Sequence, residues 1–146
     1  MDTIVRSFLE AKRLAVVGVS RSPQKFGTAI YTELKQRGFE VFGVNPAMDT
    51  IAGERCYASV AELAGQVDGV VICLPPANAA LVLREAAAAG IRKIWLQQGA
   101  SSAETAQAAR EVGVKPVEGK CILMYAGEVK SIHAVHRFFA RLFGQY

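Results

Sequence analysis

The sequence predicts an α/β fold: a doubly wound, mainly parallel sheet of five strands with helices on both faces. Along the 146 residues, short segments rich in Val and Ile alternate with segments of helical periodicity. Three glycines each follow a helical segment and precede a strand, where a left-handed residue ends a helix most easily: Gly38, Gly90 and Gly113. Several predicted strands also run into loops of small or polar residues, as parallel strands do before crossing to a helix.

The elements follow in order. The strands are predicted at residues 14–18, 40–44, 69–74, 93–97 and 114–118. The helices between them are predicted at residues 27–37, 60–64, 77–89 and 102–112. Capping boxes of the S/T-x-x-E type place two helix starts at Ser59 and Ser101. With an N-terminal helix in 1–13, a C-terminal helical extension at 129–146 and no linker, residues 1–146 are expected to form a single domain.

Composition narrows the class of protein. Apolar residues make up 51% and charged residues 21% of the chain, which is typical of an ordered globule. The longest apolar runs are strand-sized and the N-terminus does not resemble a signal peptide, so no membrane association and a cytoplasmic location are expected. The net charge of +4 is scattered, without the dense basic face of a nucleic-acid binder, and is compatible with an anionic small-molecule ligand.

Catalytic and metal-ligating residues are scarce. The three cysteines lack CxxC spacing and predict buried, reduced thiols rather than a disulfide framework or a zinc site: Cys56, Cys73 and Cys121. A cation at Lys120 is expected to lower the pKa of Cys121, but no base is placed beside it. His133 and His136 could share a metal face, but the sequence supplies no third ligand. The sequence therefore predicts no catalytic residues and no metal site.

Four predicted strands end in loops of Gly, Ser, Asn, Pro or Gln. The loops read VGVS (17–20), GVNP (43–46), CLPP (73–76) and LQQG (96–99). The carboxyl ends of parallel strands meet at one edge of the sheet, and ligands of open α/β folds bind in the crevice outside that edge. The sequence therefore predicts a binding cleft there.

The first of these loops partly matches the dinucleotide fingerprint GxGxxG. Gly18 is the first glycine, but Ser20 and Pro23 replace the second and third. Arg21 and Lys25 lie in the same loop, where cations can neutralise phosphates beside a helix N-terminus. A P-loop is excluded, since no glycine directly precedes Lys25. The loop therefore predicts a phosphate contact of another type.

The second loop lacks the acid that an NAD site places after its second strand. The strand ends at Asn45 and Pro46, and the next acid is Asp49. Asn45 can bond a sugar or a base edge, or can simply begin a turn. Pro75 and Pro76 either present a rigid wall to a flat ring or stop the third strand. These loops do not identify the ligand alone.

Taken in order, the motifs resemble one known group. They are GxSxxPxKxG (18–27), VNP (44–46), IxG (51–53), CYxS (56–59), VD (67–68), IWLQxG (94–99) and KC (120–121). The set resembles the family of small single-domain CoA-binding proteins, whose Rossmann-like fold is similar to the CoA-binding domain of the succinyl-CoA ligase alpha subunit. The resemblance runs from about Leu14 to Cys121. It departs at Gly119-Lys120, where the family often has Asp-Arg, and at Cys73-Leu74, where charged or aromatic residues are common.

The resemblance implies that coenzyme A lies across the carboxyl edge. The implied phosphate contacts are Gly18, Val19, Ser20, Arg21 and Lys25. The implied contacts elsewhere are Asn45 and Pro46 at the second loop, Leu74, Pro75 and Pro76 as a wall beside the nucleotide, and Gln98 and Gly99 at the fourth loop.

The sequence therefore predicts a CoA or acyl-CoA binding protein without catalytic machinery of its own, acting as a carrier, a sensor or a subunit of a larger acyl-CoA system. The ligases it resembles need a phosphorylated histidine and a nucleotide-binding partner domain, for which 146 residues leave no room. Two alternatives stay open. One is an NAD(P)-dependent oxidoreductase or its cofactor-binding half. The other is an interaction module whose Phe-rich C-terminal helix contacts a second copy, as a homodimer, or an unidentified protein partner.

Overall fold

The structure is a computed structural model that describes residues 2–22 and 25–126. The helices are α1 (Thr3–Leu9), α2 (Phe26–Gln36), α3 (Pro76–Ala88) and α4 (Ala103–Val112). The strands are β1 (Arg13–Val17), β2 (Glu40–Val44), β3 (Thr50–Ile51), β4 (Glu54–Tyr57), β5 (Gly69–Ile72) and β6 (Lys93–Leu96). Two short 3₁₀ turns lie at Val60–Leu63 and Ile122–Met124.

The six strands form one sheet in the order β3-β4-β2-β1-β5-β6. All neighbours are parallel except the β3–β4 pair, which is antiparallel. The central strand β1 and its neighbour β5 are apolar and almost wholly buried, as strands covered on both faces must be. The predicted α/β, doubly wound, Rossmann-like class is confirmed, with six strands in place of five.

Alternate residues of the strands enter two separate cores. Val16 and Val71 face the layer formed by α1 and α2, whereas Val17 and Val70 face the layer formed by α3 and α4. This alternation follows from the two-residue period of a strand. Trp95 on β6 is fully buried in the first core, where its ring meets an aromatic ring of α1 edge-on at 5.3 Å. The helices therefore cover both faces, as predicted.

The predicted fifth strand at residues 114–118 is wrong. Only Val117 bridges to β6: its N–H donates to the Ile94 carbonyl over 2.9 Å, and its carbonyl accepts from the Leu96 N–H over 2.7 Å. Val117 directs both its N–H and its carbonyl at β6, so the N–H that Pro116 lacks would point away from β6, and Gly119 turns the chain with a φ of +73° two residues later. The sheet instead gains β3 and β4, a hairpin that the sequence analysis did not predict.

One predicted cap is displaced by a residue. The N-cap of α4 is Ser102, not Ser101, and its partner is Thr105 rather than Glu104. The Ser102 N–H donates to Thr105 Oγ1 over 2.7 Å, and the Thr105 N–H donates to Ser102 Oγ over 3.3 Å. A threonine hydroxyl thus replaces the glutamate of the usual box.

The second predicted cap holds only in part. Ser59 Oγ accepts from the Ala61 N–H over 3.0 Å and begins a 3₁₀ turn. Glu62 pairs instead with Arg55 at 3.2 Å, so the reciprocal half of the box is not formed.

The predicted termini differ in outcome. The N-terminal helix expected in 1–13 is α1, over Thr3–Leu9. The helical extension expected at 129–146, with His133 and His136, lies outside the described residues. Within 2–22 and 25–126, no helix has the length and apolar character that crossing a bilayer requires.

Candidate ligand-binding site

The turn after β1 is a close crossing of three chain segments. Gly18 has a φ of +110°, and a Cβ added to it would lie 2.2 Å from the Cys73 carbonyl oxygen after β5. A Cβ on Gly27 in α2 would lie 2.3 Å from the Gly18 carbonyl oxygen. The Gly18 N–H also donates to the Val44 carbonyl over 3.2 Å. Glycine at both positions therefore lets the start of α2 reach the carboxyl ends of β1 and β5.

The loop between β1 and α2 is closed by its own hydroxyl groups. The Ser20 N–H donates to Thr28 Oγ1 over 2.7 Å, and that hydroxyl donates to the Ser20 carbonyl over 3.0 Å. The Ser22 N–H donates to Ser20 Oγ over 3.3 Å. Lys25 is the N-cap of α2 and makes no side-chain hydrogen bond to the first turn. The first amides of α2 are therefore left for a ligand or solvent.

Asn45 fastens this loop to the end of β2. Its Nδ2 donates to the Val19 carbonyl over 2.7 Å, and its Oδ1 accepts from the Ala47 N–H over 2.8 Å. Its backbone N–H donates to the Tyr57 carbonyl over 2.9 Å. The turn predicted at Asn45 is present, and the same amide also braces the first loop beside the crevice, whereas its bond to a sugar or a base stays a prediction.

A cleft of about 410 Å³ opens at this edge, between the ends of β1 and β2 and the side of α3. Four residues singled out from the sequence line it: Gly18, Asn45, Pro46 and Leu74. Nine lining residues were missed, and six of them belong to α3 or to the Val60 turn with its N-cap: Ser59, Val60, Asn78, Leu81, Val82 and Glu85. Four of those six lie on α3 at the spacing i, i+3, i+4 and i+7, which places them on one helical face. That spacing was the available signal for the wall.

Glu85 is the charged residue of this wall. Its Oε1 accepts from Ser59 Oγ over 2.9 Å and from the Val60 N–H over 3.2 Å. Among the described residues, no lysine or arginine lines the cleft, whose other walls are mostly aliphatic. The cleft therefore suits a ring or another uncharged group better than it suits a phosphate.

The cations predicted for the first loop lie outside this cleft. Arg21 lines a neighbouring hollow of about 340 Å³ together with Ser20 and Thr28. The side chains of Arg21 and Lys25 are exposed. Val19 is 1% exposed and packs into the core, so only its backbone faces the loop. The two hollows lie on either side of the braced loop.

The remaining predicted residues do not line the cleft. Pro75 is the N-cap of α3 and Pro76 is the first residue of that helix. Gln98 is exposed, and Gly99 forms a turn after β6 with a φ of +89°. Leu74 is thus the member of the third loop that reaches the cleft.

Cys56 and Cys121 are buried, Cys73 is half-buried, and all three thiols are protonated at neutral pH. Burial raises the pKa of the Cys121 thiol, which is the opposite of the lowering expected from Lys120, and burial raises the pKa of Cys73 and Cys56 as well. Next to Cys121, the buried Gln97 accepts from the Ile122 N–H over 3.0 Å. None of these thiols offers an activated nucleophile at neutral pH.

Comparison with known proteins identifies the family. The sequence profile described as a CoA binding domain matches residues 12–126. A solved structure of a conserved hypothetical protein from Pyrococcus furiosus is 42% identical, with a TM-score of 0.73, and the match covers 76% of this chain and 96% of that one.

Two relatives show the range of sizes. An uncharacterised protein of Bacillus subtilis, YneT, is 29% identical over 112 residues, which cover 77% of this chain and 83% of the relative. Acetate–CoA ligase (ADP-forming) II of Archaeoglobus fulgidus is 36% identical over 90 residues, 60% of this chain but only 13% of the ligase. This chain therefore matches a small part of that enzyme.

The profile match spans both sides of the cleft, from the start of β1 to the end of the described chain. It also includes the glycine crossing, the Asn45 brace and the α3 wall. The chain therefore belongs to the CoA binding domain family.

Proposed function

We propose that this protein binds coenzyme A, or an acyl-CoA, across the carboxyl edge of its sheet and catalyses no reaction by itself. The observation that carries the proposal is a separation of charge: a mostly aliphatic cleft, with no cation among its described lining residues, adjoins a loop that carries two exposed cations. A nucleotide has the matching parts, because its base is a flat, uncharged ring and its phosphates are anionic.

The cleft suits the base. Its volume of about 410 Å³ lies within the range of roughly 300–1,000 Å³ typical of small-molecule sites. The side chains of Leu74 and Val82 supply apolar walls, and Pro46 closes the side toward β2. A phosphate in this cleft would meet the Glu85 carboxylate with no cation to offset it.

The loop suits the phosphates. The first turn of α2 presents amides that its N-cap side chain does not satisfy, and a helix N-terminus favours anions. Arg21 and Lys25 stand on the same loop, where their charges add to this field. Membership of the CoA binding domain family supports coenzyme A over other nucleotides.

A role without chemistry is the simplest one for these residues. Among the described residues, no three His, Cys, Asp or Glu side chains gather as a metal site, and the thiols have raised pKa values. The relative from Archaeoglobus fulgidus carries ligase activity in a much longer chain. We therefore infer that this chain is a carrier, a sensor or a subunit that presents CoA to another protein.

Calorimetric titration with CoA, acetyl-CoA and NADH tests the proposal. We expect CoA to bind and NADH to bind far more weakly, because the acid that NAD requires after β2 is replaced by Asn45, whose amide holds Val19 and Ala47. Arg21→Ala and Lys25→Ala should each weaken CoA binding about tenfold at low salt, with smaller losses at high salt. Lys12→Ala removes the same charge at the opposite edge of the sheet and should leave CoA affinity unchanged.

Absence of CoA affinity at millimolar ligand, with the protein folded, would refute the proposal. Tight NADH binding would favour the oxidoreductase alternative. The interaction module concerns residues 129–146, so truncation after Gly127 separates it from CoA binding.

A further inference from the structure

We propose that Glu85 accepts a hydrogen bond from the edge of the bound purine. The cleft therefore prefers a purine with an amino group at the six position over one with an oxo group there. This inference rests on the proposed binding of CoA and adds a base specificity to it. The residue acts as a specificity determinant and has no part in a reaction.

The first observation is that the carboxylate of Glu85 is held in one orientation. Ser59 Oγ and the Val60 N–H both donate to its Oε1, over 2.9 and 3.2 Å. Ser59 Oγ itself accepts from the Ala61 N–H over 3.0 Å, so its single proton is committed to Glu85. Two donors from a short 3₁₀ turn thus fix a side chain of α3 across the cleft.

The second observation is that Glu85 keeps a free acceptor. Among the described residues, no hydrogen bond reaches its Oε2. Glu85 is exposed and no cation is found among the described residues that line the cleft, so Oε2 is open to solvent and to a donor group of a ligand. Such a partner must be a donor, because a carboxylate only accepts.

The third observation is the position of Glu85 along the cleft. Asn78 and Glu85 lie seven residues apart on α3, which is about 10 Å along a helix. The end of β5 that leads into α3 packs against Gly18, so the near end of this wall adjoins the phosphate loop. A nucleotide with its phosphates at that loop therefore directs the far edge of its base toward Glu85.

The chemistry of that edge is discriminating. Adenine carries an N–H donor at its six position, whereas six-oxo purines carry a carbonyl acceptor there. An adenine amino group would satisfy Oε2, whereas a six-oxo purine places a carbonyl acceptor at that position and must shift in the cleft to offer its neighbouring N1–H donor instead. Asn78 offers both a donor and an acceptor, so it can accommodate either ring.

The test compares CoA with its hypoxanthine counterpart, in which an oxygen replaces the adenine amino group. The two ligands share all phosphates and the thiol, so their affinity ratio reports the base alone. We expect the protein to bind CoA at least tenfold more tightly. In Glu85→Gln, the amide oxygen should keep accepting from Ser59 and Val60, so the NH₂ group should face the cleft. The ratio of the affinities for CoA and its hypoxanthine counterpart should then fall at least tenfold. Glu10→Gln, at the end of α1, makes the same charge change and should keep the original ratio.

Equal affinities for the two ligands would overturn this inference while leaving CoA binding intact. An unchanged ratio in folded Glu85→Gln would also overturn it. If neither ligand binds, both this inference and the proposed function fail. Should Glu85→Gln not fold, Glu85→Asp gives the same test, because the shorter carboxylate withdraws from the base and the ratio should fall.

Discussion

The contact between Gly18 and the end of β5 predicts that Gly18→Ala strongly destabilises the protein. The added methyl group would lie 2.2 Å from the Cys73 carbonyl oxygen and 3.2 Å from its Cβ. The Cys73 N–H donates to the Val17 carbonyl over 2.8 Å, so Cys73 cannot retreat without weakening the pairing of β1 and β5. The φ of +110° adds a backbone strain that any side chain would suffer.

The two effects can be given magnitudes. A non-glycine residue in a sparsely populated backbone region costs about 1–3 kcal/mol. An overpacked methyl group costs a further 1–3 kcal/mol or so. We therefore expect Gly18→Ala to lower the free energy of unfolding by about 4 kcal/mol, a large share of the roughly 5–15 kcal/mol typical of a domain.

Two other glycines separate strain from collision. Gly38 has a φ of +99° and no atom within 4 Å of an added Cβ, so Gly38→Ala should show the strain alone. Gly27 lies in a helix, and its added Cβ would lie 2.3 Å from the Gly18 carbonyl oxygen. Gly27→Ala should therefore show the cost of the collision alone, reduced by a gain in helix propensity of about 1 kcal/mol at most. Gly18→Ala should exceed both.

The assay is urea unfolding followed by far-ultraviolet circular dichroism, with the free energy obtained by linear extrapolation. The reasoning is refuted if Gly18→Ala costs no more than Gly38→Ala. In that case the close approach of the first turn to Cys73 would not exist in solution.

Three further predictions concern single side chains. Asn45→Ala removes the 2.7 Å bond to the Val19 carbonyl and should lower the free energy of unfolding by about 1–2 kcal/mol and weaken CoA binding, measured by urea unfolding and calorimetry. Bonds from Arg13 hold the pKa of Asp68 below its ordinary value, so the stability from this group is present above about pH 4 and is lost as the pH falls. Asp68→Asn should therefore flatten the loss of stability below about pH 4, measured by unfolding at a series of pH values. Burial raises the pKa of Cys73, so the stability from this group is present below about pH 8.5 and is lost as the pH rises. Cys73→Ala should therefore flatten the loss of stability between about pH 8.5 and 10, in the same measurement.

Each of these has a contrary result. If Asn45→Ala matches the original protein in both assays, the loop does not depend on the brace. If Asp68→Asn leaves the acid limb unchanged, its carboxyl has an ordinary pKa in the folded state. If Cys73→Ala keeps the full alkaline slope, other groups account for it, and Cys121 and Cys56, whose pKa values burial also raises, are the next to test.

The central strands and their edge could be predicted because each depends on local sequence. β1 and β5 are apolar runs that a parallel sheet requires, and the glycine at 113 ends α4 in the left-handed conformation expected of it. The crevice follows from strand direction alone, which is why Gly18 and Asn45 could be predicted as neighbours before any contact was known.

The edges of the sheet could not be predicted in the same way. β3 has two residues, Thr50 and Ile51, which is too short for any periodicity to show. Residues 114–118 have the apolar character of a strand, but pairing depends on two segments, and of these five residues only Val117 bridges to β6.

The α3 wall illustrates a third limit. Ser59 and Glu85 are 26 residues apart and belong to different elements, so nothing local joins them. Read from the sequence, Ser59 is a helix cap and Glu85 is a solvated charge on a helix. They form one polar group at the end of the cleft only because α3 packs beside the 3₁₀ turn that contains Val60.

The buried thiols have a practical consequence. Labelling reagents attack the thiolate, and burial raises the pKa of all three native cysteines, Cys56, Cys73 and Cys121. Leu81 is 64% exposed and lines the cleft. A cysteine introduced there would react much faster than the native ones, so a fluorophore could be attached at the mouth of the cleft without first removing them. Such a probe would report occupancy in real time, in the otherwise natural sequence.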